Sequence, residues 1–211
     1  MEFRVITRRD ALPHILNKHY AKRCPSISYA YGVFSNNTLK GIITYGCPAS
    51  SPLKKGICGV DNKNIVIELN RLCIDDDMPR NTASQLIAYS FKNLPKPLIL
   101  VSYADTEQNH IGYVYQATNW IYTGLSAKRT DWKIKGMENL HGQTIADISR
   151  GQKNRAKYMR ARFGDDFYLK ERSRKHRYVY FIGTKGQVKY YRSKLKYKVF
   201  AYPKQKKGCA G

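Results

Sequence analysis

The spacing of apolar residues predicts alternating strands and helices along the first half of the chain. Residues 2–6 form a short predicted strand, and residues 9–20 place leucine and isoleucine at the spacing of one helical face. Residues 28–34 and 39–45 alternate as strands on either side of Asn36-Asn37, a turn pair typical of a hairpin. The chain is therefore predicted to begin with a small antiparallel unit and one helix.

The following segments predict the centre of a sheet. Residues 64–74 are rich in β-branched side chains, and residues 98–103 form an apolar run typical of a strand buried on both faces. Between them, Asn81 or Thr82 caps a predicted helix that ends near residue 94. A helix at 110–119 and a strand at 120–122 follow. This order predicts an α/β fold with a mixed central sheet flanked by helices.

The composition excludes several classes of protein. Hydrophobic residues make up 42% of the 211 residues, which is enough to form a core and excludes a disordered basic tail. The apolar runs are far shorter than the roughly 20 residues that cross a bilayer, so no membrane partner is expected. The five cysteines have no Cys-x-x-Cys spacing, which favours reduced thiols in a cytoplasm.

The charge is unevenly distributed and predicts a polyanionic partner. Residues 1–125 hold 14 basic and 9 acidic side chains, whereas residues 126–211 hold 24 basic and 6 acidic ones, so the net charge of +23 divides into +5 and +18. We therefore predict a core domain at 1–125 and a basic, DNA-contacting extension at 126–211 that completes the sheet. Nucleic acid is the leading candidate for this partner.

The basic extension contains two predicted phosphate-binding segments. The first is a basic helix with tyrosine and methionine interleaved, and the second runs into a strand at 178–182, followed by a turn at 183–186. The residues expected to contact DNA are Arg150, Lys153, Arg155, Lys157, Arg160, Arg172, Arg174 and Lys175. Neutralising six to ten phosphates would give log K against log salt a slope of roughly −5 to −9.

Common cofactor and metal motifs are absent from the sequence. No glycine-rich loop follows a strand in the pattern that cradles a pyrophosphate. Asp75, Asp76 and Asp77 are typical of a solvated turn, and the histidines lack the spacing of an iron or zinc ligand set. The sequence therefore indicates no metal site.

Polar residues at the ends of the predicted central strands are the strongest candidates for chemistry. Tyr103 and Asp105 directly follow the apolar strand, and ligands of open α/β sheets collect at the carboxyl ends of strands. Glu68 and Arg71 lie in the neighbouring strand, where they are compatible with a reactive site or with a structural ion pair. Asp105 is equally compatible with a helix cap.

Several motifs around these residues resemble one family of phage proteins. The chain has Glu-Leu-Asn-Arg-Leu at 68–72, Pro-Arg-Asn-Thr-Ala-Ser at 79–84, Val-Ser-Tyr-Ala-Asp at 101–105 and Gly-Tyr-Val-Tyr-Gln-Ala-Thr-Asn-Trp at 112–120. Their order resembles that of the Mom-type DNA-modification proteins of bacteriophage Mu and related phages. The resemblance covers most of residues 15–125 and continues weakly through 177–183.

The resemblance implies a diverged GNAT-like acyltransferase fold and a modification of DNA. Proteins of this type convert adenine in duplex DNA to a carbamoylmethyl derivative on the exocyclic amine, which protects phage DNA from host restriction. The expected location is then the host cytoplasm. In place of the glycines that grip coenzyme A in acetyltransferases, this chain has Arg80, Asn81 and Ser84 in a glycine-free segment. Acetyl-coenzyme A is therefore not favoured, and the group donor is unidentified.

The hypothesis assigns roles to two sets of residues. Asp105 would accept the amine proton, with tyrosines stacking on the base or relaying protons. The catalytic set is Asp105, Tyr103, Tyr115, Tyr113, Glu68 and His19, with Tyr20 beside His19. The donor-binding set is Arg71, Arg80, Asn81 and Ser84.

Two other classes of function remain open from the sequence. An acetyltransferase acting on protein or RNA would explain the core but not the missing glycines. A nucleic-acid-binding protein without catalysis would explain the charge but leave Glu68, Arg71 and Asp105 without a chemical role.

Overall fold

The computed structural model describes residues 1–19, 22–140 and 142–204. It contains one sheet of seven strands, a separate two-stranded sheet, and helices on both faces of the larger sheet. The predicted mixed α/β architecture is thus confirmed. Within the described ranges, no helix combines the length and the apolar character needed to span a bilayer.

The first part of the chain contributes five strands and three helices. In chain order they are β1 (Glu2–Val5), α1 (Arg8–Asn17), β2 (Tyr29–Ser35), β3 (Thr38–Gly46), α2 (Ser51–Cys58), β4 (Val66–Ile74), α3 (Thr82–Asn93) and β5 (Leu98–Asp105). Both turn residues Asn36 and Asn37 have positive φ, as a tight hairpin with the twist of its strands requires. The predicted hairpin is confirmed.

The second part contributes the remaining elements. They are α4 (Tyr113–Ala117), β6 (Ile121–Leu125), β7 (Arg129–Ile134), α5 (Gly142–Asp147), α6 (Arg155–Phe163), β8 (Phe167–Arg172), β9 (Lys175–Ile182) and α7 (Lys185–Ser193). The predicted basic helix and the predicted strand at 178–182 correspond to α6 and β9.

The larger sheet has the strand order β1-β2-β3-β4-β5-β9-β6. All neighbouring strands are antiparallel except β4 and β5, which run parallel. β9 comes from the basic part of the chain and lies between β5 and β6. The sheet therefore draws on both sides of residue 125, although the proposed division into two domains there stays a prediction.

Separate apolar clusters cover the two faces of the larger sheet. One face packs against α3 and α4, with Tyr45, Leu86, Leu100 and Trp120 in its core. The other face carries the cluster of Ile57, Ile99, Val179 and Tyr191, from α2, β5, β9 and α7. The central apolar strand β5 thus contributes side chains to both cores, which is why its sequence reads as a continuous apolar run.

An insertion between β6 and β9 has a core of its own. β7 and β8 pair with each other, and α5 and α6 pack beside them. Ile134, Ile145, Met159 and Phe167 form this core, with Trp132 against Phe167 in an edge contact. The insertion is therefore a small packed unit, not a loose basic tail.

Three local predictions were wrong or incomplete. The turn predicted at 183–186 is the start of α7, because Thr184 and Gln187 form a reciprocal capping box. α2 was not predicted, since its eight residues are too few for a clear helical period. The helix expected at 110–119 is shortened to α4 because Gly112 is left-handed at its N-cap.

Gly112 is required by both backbone conformation and space. Its φ is +78°, and a Cβ at this position would lie 2.4 Å from the ring of Tyr178. Gly136 has a φ of +80°, and a Cβ there would meet nothing within 4 Å. Gly136 is therefore a matched position that shares the conformation without the close contact.

Gly112→Ala is expected to lower the free energy of unfolding by about 2–4 kcal/mol, because it adds overpacking to the left-handed strain. Gly136→Ala should lower it by about 1–2 kcal/mol, from strain alone. Urea unfolding of the two variants and the wild type measures both values. Equal losses would show that Tyr178 moves aside without cost.

Candidate functional site

The site is a cleft that opens where β4 and β5 separate. The two strands pair from Val66 with Ile99 to Leu69 with Ser102, and each then continues without the other. The resulting cleft has a volume of about 1220 Å³. Its walls come from α2, α4, the loops after α1 and β6, and residues of β9.

A bulge in β4 redirects the strand at the point of separation. Against β3, Arg71 pairs with Thr44 and Leu69 with Tyr45, so Asn70 is the extra residue. The Asn70 side chain accepts a hydrogen bond from Thr44 Oγ1 at 2.7 Å and donates one to the Ser26 carbonyl at 2.7 Å. These bonds hold the bulge, which turns the end of β4 away from β5.

The cleft brings together most residues of the predicted catalytic set. The catalytic candidates that line it are His19, Glu68, Tyr103, Tyr113 and Tyr115, and it is also lined by Arg71 and Arg80 of the donor-binding set and by Arg172 and Lys175 of the DNA-binding set. The other predicted site residues do not line it: Asp105, Asn81, Ser84, Arg150, Lys153, Arg155, Lys157, Arg160 and Arg174.

Glu68 is the carboxyl group best suited to proton transfer. Burial raises its pKa to about 7, although the positive charges of Arg71 and Lys175 act in the opposite direction. Among the described residues its carboxylate has no hydrogen-bond or ion-pair partner. A carboxyl group half ionised near neutrality can both accept and return a proton.

Asp105 is held by two side chains from the basic part of the chain and by one nearby backbone amide. Its carboxylate is 2.9 Å from Lys175 Nζ and accepts hydrogen bonds from Ser173 Oγ at 2.8 Å and the Glu107 amide at 3.1 Å. These interactions outweigh burial and lower its pKa. The geometry is that of a helix cap and an ion pair, the alternative interpretation of the sequence, and the proposed base role of Asp105 stays a prediction.

His19 is a buried, neutral imidazole at the wall of the cleft. Burial lowers its pKa to about 4, and the charges of Arg71 and His110 lower it further in the same direction. Its exposed fraction is only 7%. Tyr20, predicted beside it, lies outside the described residues.

The three predicted tyrosines have different surroundings. Tyr115 is buried, and its hydroxyl is hydrogen bonded to Ser102 Oγ at 2.8 Å, beside the last paired residues of β4 and β5. Burial and the nearby Glu68 raise the pKa of Tyr103. Tyr113 is 71% exposed at the rim. The structure thus offers one fixed hydroxyl inside the cleft and one exposed aromatic side chain at its mouth.

The predicted donor-binding residues divide between the cleft and its surroundings. Arg80 lines the cleft just before α3, whose N-cap residue Asn81 makes no side-chain capping bond. Ser84 Oγ donates to the Asn81 carbonyl at 2.8 Å. Arg71 donates to the carbonyls of Asn70 and Arg23, so it also fixes the loop that follows α1.

Several predicted DNA-binding cations are engaged in internal contacts. Arg172 pairs with Asp131 at 3.2 Å, and Arg174 donates to the Ser126 carbonyl at 2.7 Å. Arg155 lies over the ring of Trp132, with 5.7 Å between its guanidinium carbon and the ring centroid. Arg172 and Arg155 thus make contacts within the insertion, and Arg174 makes one at its junction with the sheet.

Two cleft residues were missed from the sequence. Arg177 and Tyr197 both line the cleft, and the guanidinium carbon of Arg177 lies 3.4 Å from the centroid of the Tyr197 ring. Nothing in their local sequence separates them from the other basic and tyrosine residues of the C-terminal region. Within the described ranges, no cluster of three or more His, Cys, Asp or Glu side chains is arranged as metal ligands.

Fold and site together define an α/β protein whose cleft between diverging parallel strands contains a carboxyl group with a pKa raised to about 7. A family model described as the Mom protein family matches residues 1–204. The chain therefore belongs to the Mom family. It is 34% identical over 196 residues to the methylcarbamoylase Mom of Escherichia phage Mu, covering 90% of this chain and 78% of that protein.

The solved structures with a similar chain path include acetyltransferases. A GNAT-family acetyltransferase from Bacillus cereus aligns with 86% of this chain and 98% of its own, at 14% identity and a TM-score of 0.43. An N-acetyltransferase from Staphylococcus aureus aligns with 86% of this chain and 99% of its own, at 13% identity and a TM-score of 0.45.

The raised pKa of Glu68 makes a prediction about stability against pH. The folded state holds the Glu68 proton more tightly than the unfolded state does. The contribution of protonated Glu68 to the free energy of unfolding is therefore complete below pH 4.5 and is lost as pH rises through about 7. The free energy of unfolding of the wild type should therefore fall by about 3 kcal/mol relative to that of Glu68→Gln between pH 4.5 and 8.

Urea unfolding at several pH values measures this difference. Asp105→Asn is the matched comparison, since the lowered pKa of Asp105 places its titration below this window. Its effect on stability should be nearly constant from pH 5 to 8. If the free energies of unfolding of the wild type and Glu68→Gln changed in parallel with pH, the raised pKa of Glu68 would be contradicted.

Proposed function

We propose that this chain is a transferase that modifies the exocyclic amine of adenine in duplex DNA, giving the carbamoylmethyl derivative that protects phage DNA from host restriction. Family membership supports the reaction, and the relative from phage Mu is named a methylcarbamoylase. The observation that carries the proposal is Glu68, a cleft carboxyl group with a pKa of about 7. A DNA substrate places the reaction in the host cell.

Adenine requires help from the protein because its exocyclic nitrogen is a poor nucleophile. The nitrogen lone pair is delocalised into the ring, and the base is stacked inside the duplex. Extruding it costs a few kcal/mol, which stacking and edge contacts in a pocket must offset. A cleft lined by tyrosines beside a carboxylate supplies both kinds of contact.

In the proposed step, Glu68 accepts the proton that the amine loses. A bond forms between the adenine nitrogen and the donor carbon, and the bond from that carbon to its leaving group breaks with its electron pair. The proton of the amine passes to the Glu68 carboxylate. Tyr115 lies in the same cleft, where Ser102 holds its hydroxyl.

The donor is proposed to enter from the side of α3. Arg80 lines this side of the cleft, and the positive end of the α3 dipole adds to its charge. Together they favour a donor with an anionic end. The donor itself is not identified by these groups.

Exposed cations outside the cleft are proposed to hold the phosphates. Lys153, Lys157 and Arg160 are exposed on or before α6, and within the described ranges they pair with no carboxylate. The sequence after Glu171 adds 13 basic residues and no acidic residue. α7 presents Lys185 and Lys189 from this segment at the surface.

Glu68→Gln and Asp105→Asn separate the two carboxylates as candidates for the base. Each variant removes one charge without a change of shape. Glu68→Gln should reduce modified adenosine at least about a hundredfold, because general base catalysis contributes that much or more. Asp105→Asn should retain modification, since its carboxylate is held outside the cleft lining.

Mass analysis of nucleosides from DNA of cells expressing each variant measures the product, and circular dichroism confirms folding. A new adenosine species in the wild type is expected. Loss of modified adenosine in Asp105→Asn, with modification retained in Glu68→Gln, would reassign the base to Asp105. Unmodified DNA together with bound coenzyme A would instead support an acetyltransferase.

The phosphate contacts predict a defined salt dependence. Lys157→Gln with Arg160→Gln, and separately Lys185→Gln with Lys189→Gln, should each flatten the slope of log K against log salt by about 2. Lys92→Gln with Lys96→Gln removes the same charge at the far end of α3 and should leave the slope unchanged. Fluorescence anisotropy of a labelled duplex at several salt concentrations measures all three slopes. Equal flattening in all three would indicate only a general effect of net charge.

A further inference from the structure

Arg177 and Tyr197 form a rigid stacked pair at the cleft. The 3.4 Å separation of the guanidinium carbon from the ring centroid is that of a close parallel contact. Arg177 Nε donates to Thr123 Oγ1 at 2.9 Å, and one terminal nitrogen donates to the Thr123 carbonyl at 3.1 Å. The guanidinium is thus held in both position and plane.

The other terminal nitrogen of Arg177 is not used within the protein. Among the described residues, Arg177 Nη1 has no hydrogen-bond acceptor, and no carboxylate pairs with the guanidinium. Partial burial of an arginine without an acidic partner costs free energy unless a ligand or water accepts a hydrogen bond from its unused donor. Because Arg177 lines the cleft, a molecule bound in the cleft can accept a hydrogen bond from Nη1.

Tyr197 is held in place by a strap formed by residues 194–204. The Lys196 amide donates to the Ile57 carbonyl at 2.8 Å, the Phe200 amide to the Tyr122 carbonyl at 3.0 Å, and the Tyr202 hydroxyl to the Trp120 carbonyl at 2.7 Å. On α2, a Cβ at Gly56 would lie 2.8 Å from the Tyr197 hydroxyl. The strap and Gly56 therefore fix the tyrosine ring against Arg177.

The sheet places this pair opposite Glu68. Arg177 is the partner of Tyr103 on β5, and Glu68 is the partner of Val101, so all lie on one face. Glu68 and Arg177 lie two strands apart and are offset by two residues along the strands. Their Cα atoms are therefore about 12 Å apart. Tyr103 lies between them on the same face, and all three side chains line the cleft.

We propose that Arg177 and Tyr197 form a platform that positions the extruded adenine: the Tyr197 ring holds the guanidinium by stacking, and Arg177 Nη1 donates in the guanidinium plane to a ring nitrogen next to the amine. This inference rests on the proposed function. Adenine presents an amine donor beside a ring-nitrogen acceptor, which matches the Glu68 carboxylate beside an arginine donor. Guanine presents a carbonyl oxygen where adenine has its amine, so Glu68 would repel it.

The proposal predicts selective binding of adenine independent of catalysis. The probe is a labelled duplex with one unpaired adenine opposite an abasic site, compared with the same duplex carrying guanine there. The wild type should bind the adenine duplex about tenfold or more tightly. Arg177→Gln should bind both duplexes equally, because the remaining phosphate contacts do not distinguish bases.

Substitutions in the strap separate stacking from anchoring. Tyr197→Phe keeps the ring and should retain the preference, whereas Tyr197→Leu should lose about tenfold to a hundredfold in affinity for the adenine duplex. Phe200→Leu makes the same kind of change in the strap but outside the cleft lining, and should behave as wild type. An equal loss in Phe200→Leu would show that the strap only stabilises the fold and would overturn the proposal.

The outcomes also separate this inference from the proposed function. Adenine preference without any modified nucleoside in cells would support the platform and contradict the reaction. Modified adenosine from a wild type that binds both duplexes equally would support the reaction and overturn the platform.

Discussion

The separation of β4 from β5 is the constraint on which the whole site depends. Paired strands lie about 4.8 Å apart and leave no room for a ligand between them. Here the last pair, Leu69 and Ser102, is fixed from both sides: Ser102 Oγ donates to the Leu69 carbonyl at 2.9 Å and bonds the Tyr115 hydroxyl. The Asn70 bulge follows immediately, so the cleft begins at a defined residue and at a rigid edge.

The position of Glu68 follows from this geometry. It lies one residue before the last paired residue, on the face opposite Leu69, and is therefore enclosed by the sheet while still lining the cleft. Two cations, Arg71 and Lys175, favour its ionised form, but the loss of solvent outweighs them and its pKa rises. Asp105 shows the reverse balance, because direct hydrogen bonds from Ser173 and Lys175 stabilise its charge.

The sequence predicts the parts of this arrangement that depend on local pattern. The apolar run of β5, the hairpin at Asn36 and Asn37, and the basic helix α6 could all be read from periodicity and turn residues. The contrast between the raised pKa of Glu68 and the lowered pKa of Asp105 could not be predicted, because the charged and hydroxyl partners of Asp105 lie almost 70 residues later and arrive only through the register of β9. The same non-local pairing brings Arg177 to the cleft, and no local signal distinguishes it from its basic neighbours.

The distribution of engaged and unengaged cations bears on the ionisation of Glu68, the proposed proton acceptor. A phosphate bound beside Glu68 would add a negative charge, raise its pKa further and leave less carboxylate to accept a proton. Three cations of the cleft lining are already occupied: Arg71 by backbone carbonyls, Arg172 by Asp131 and Lys175 by Asp105. The exposed cations of α6 and α7 lie outside that lining, so phosphates of the proposed DNA partner would be held there at a distance from Glu68. A strong hold on the DNA backbone is thereby compatible with a carboxyl group that still ionises near neutral pH.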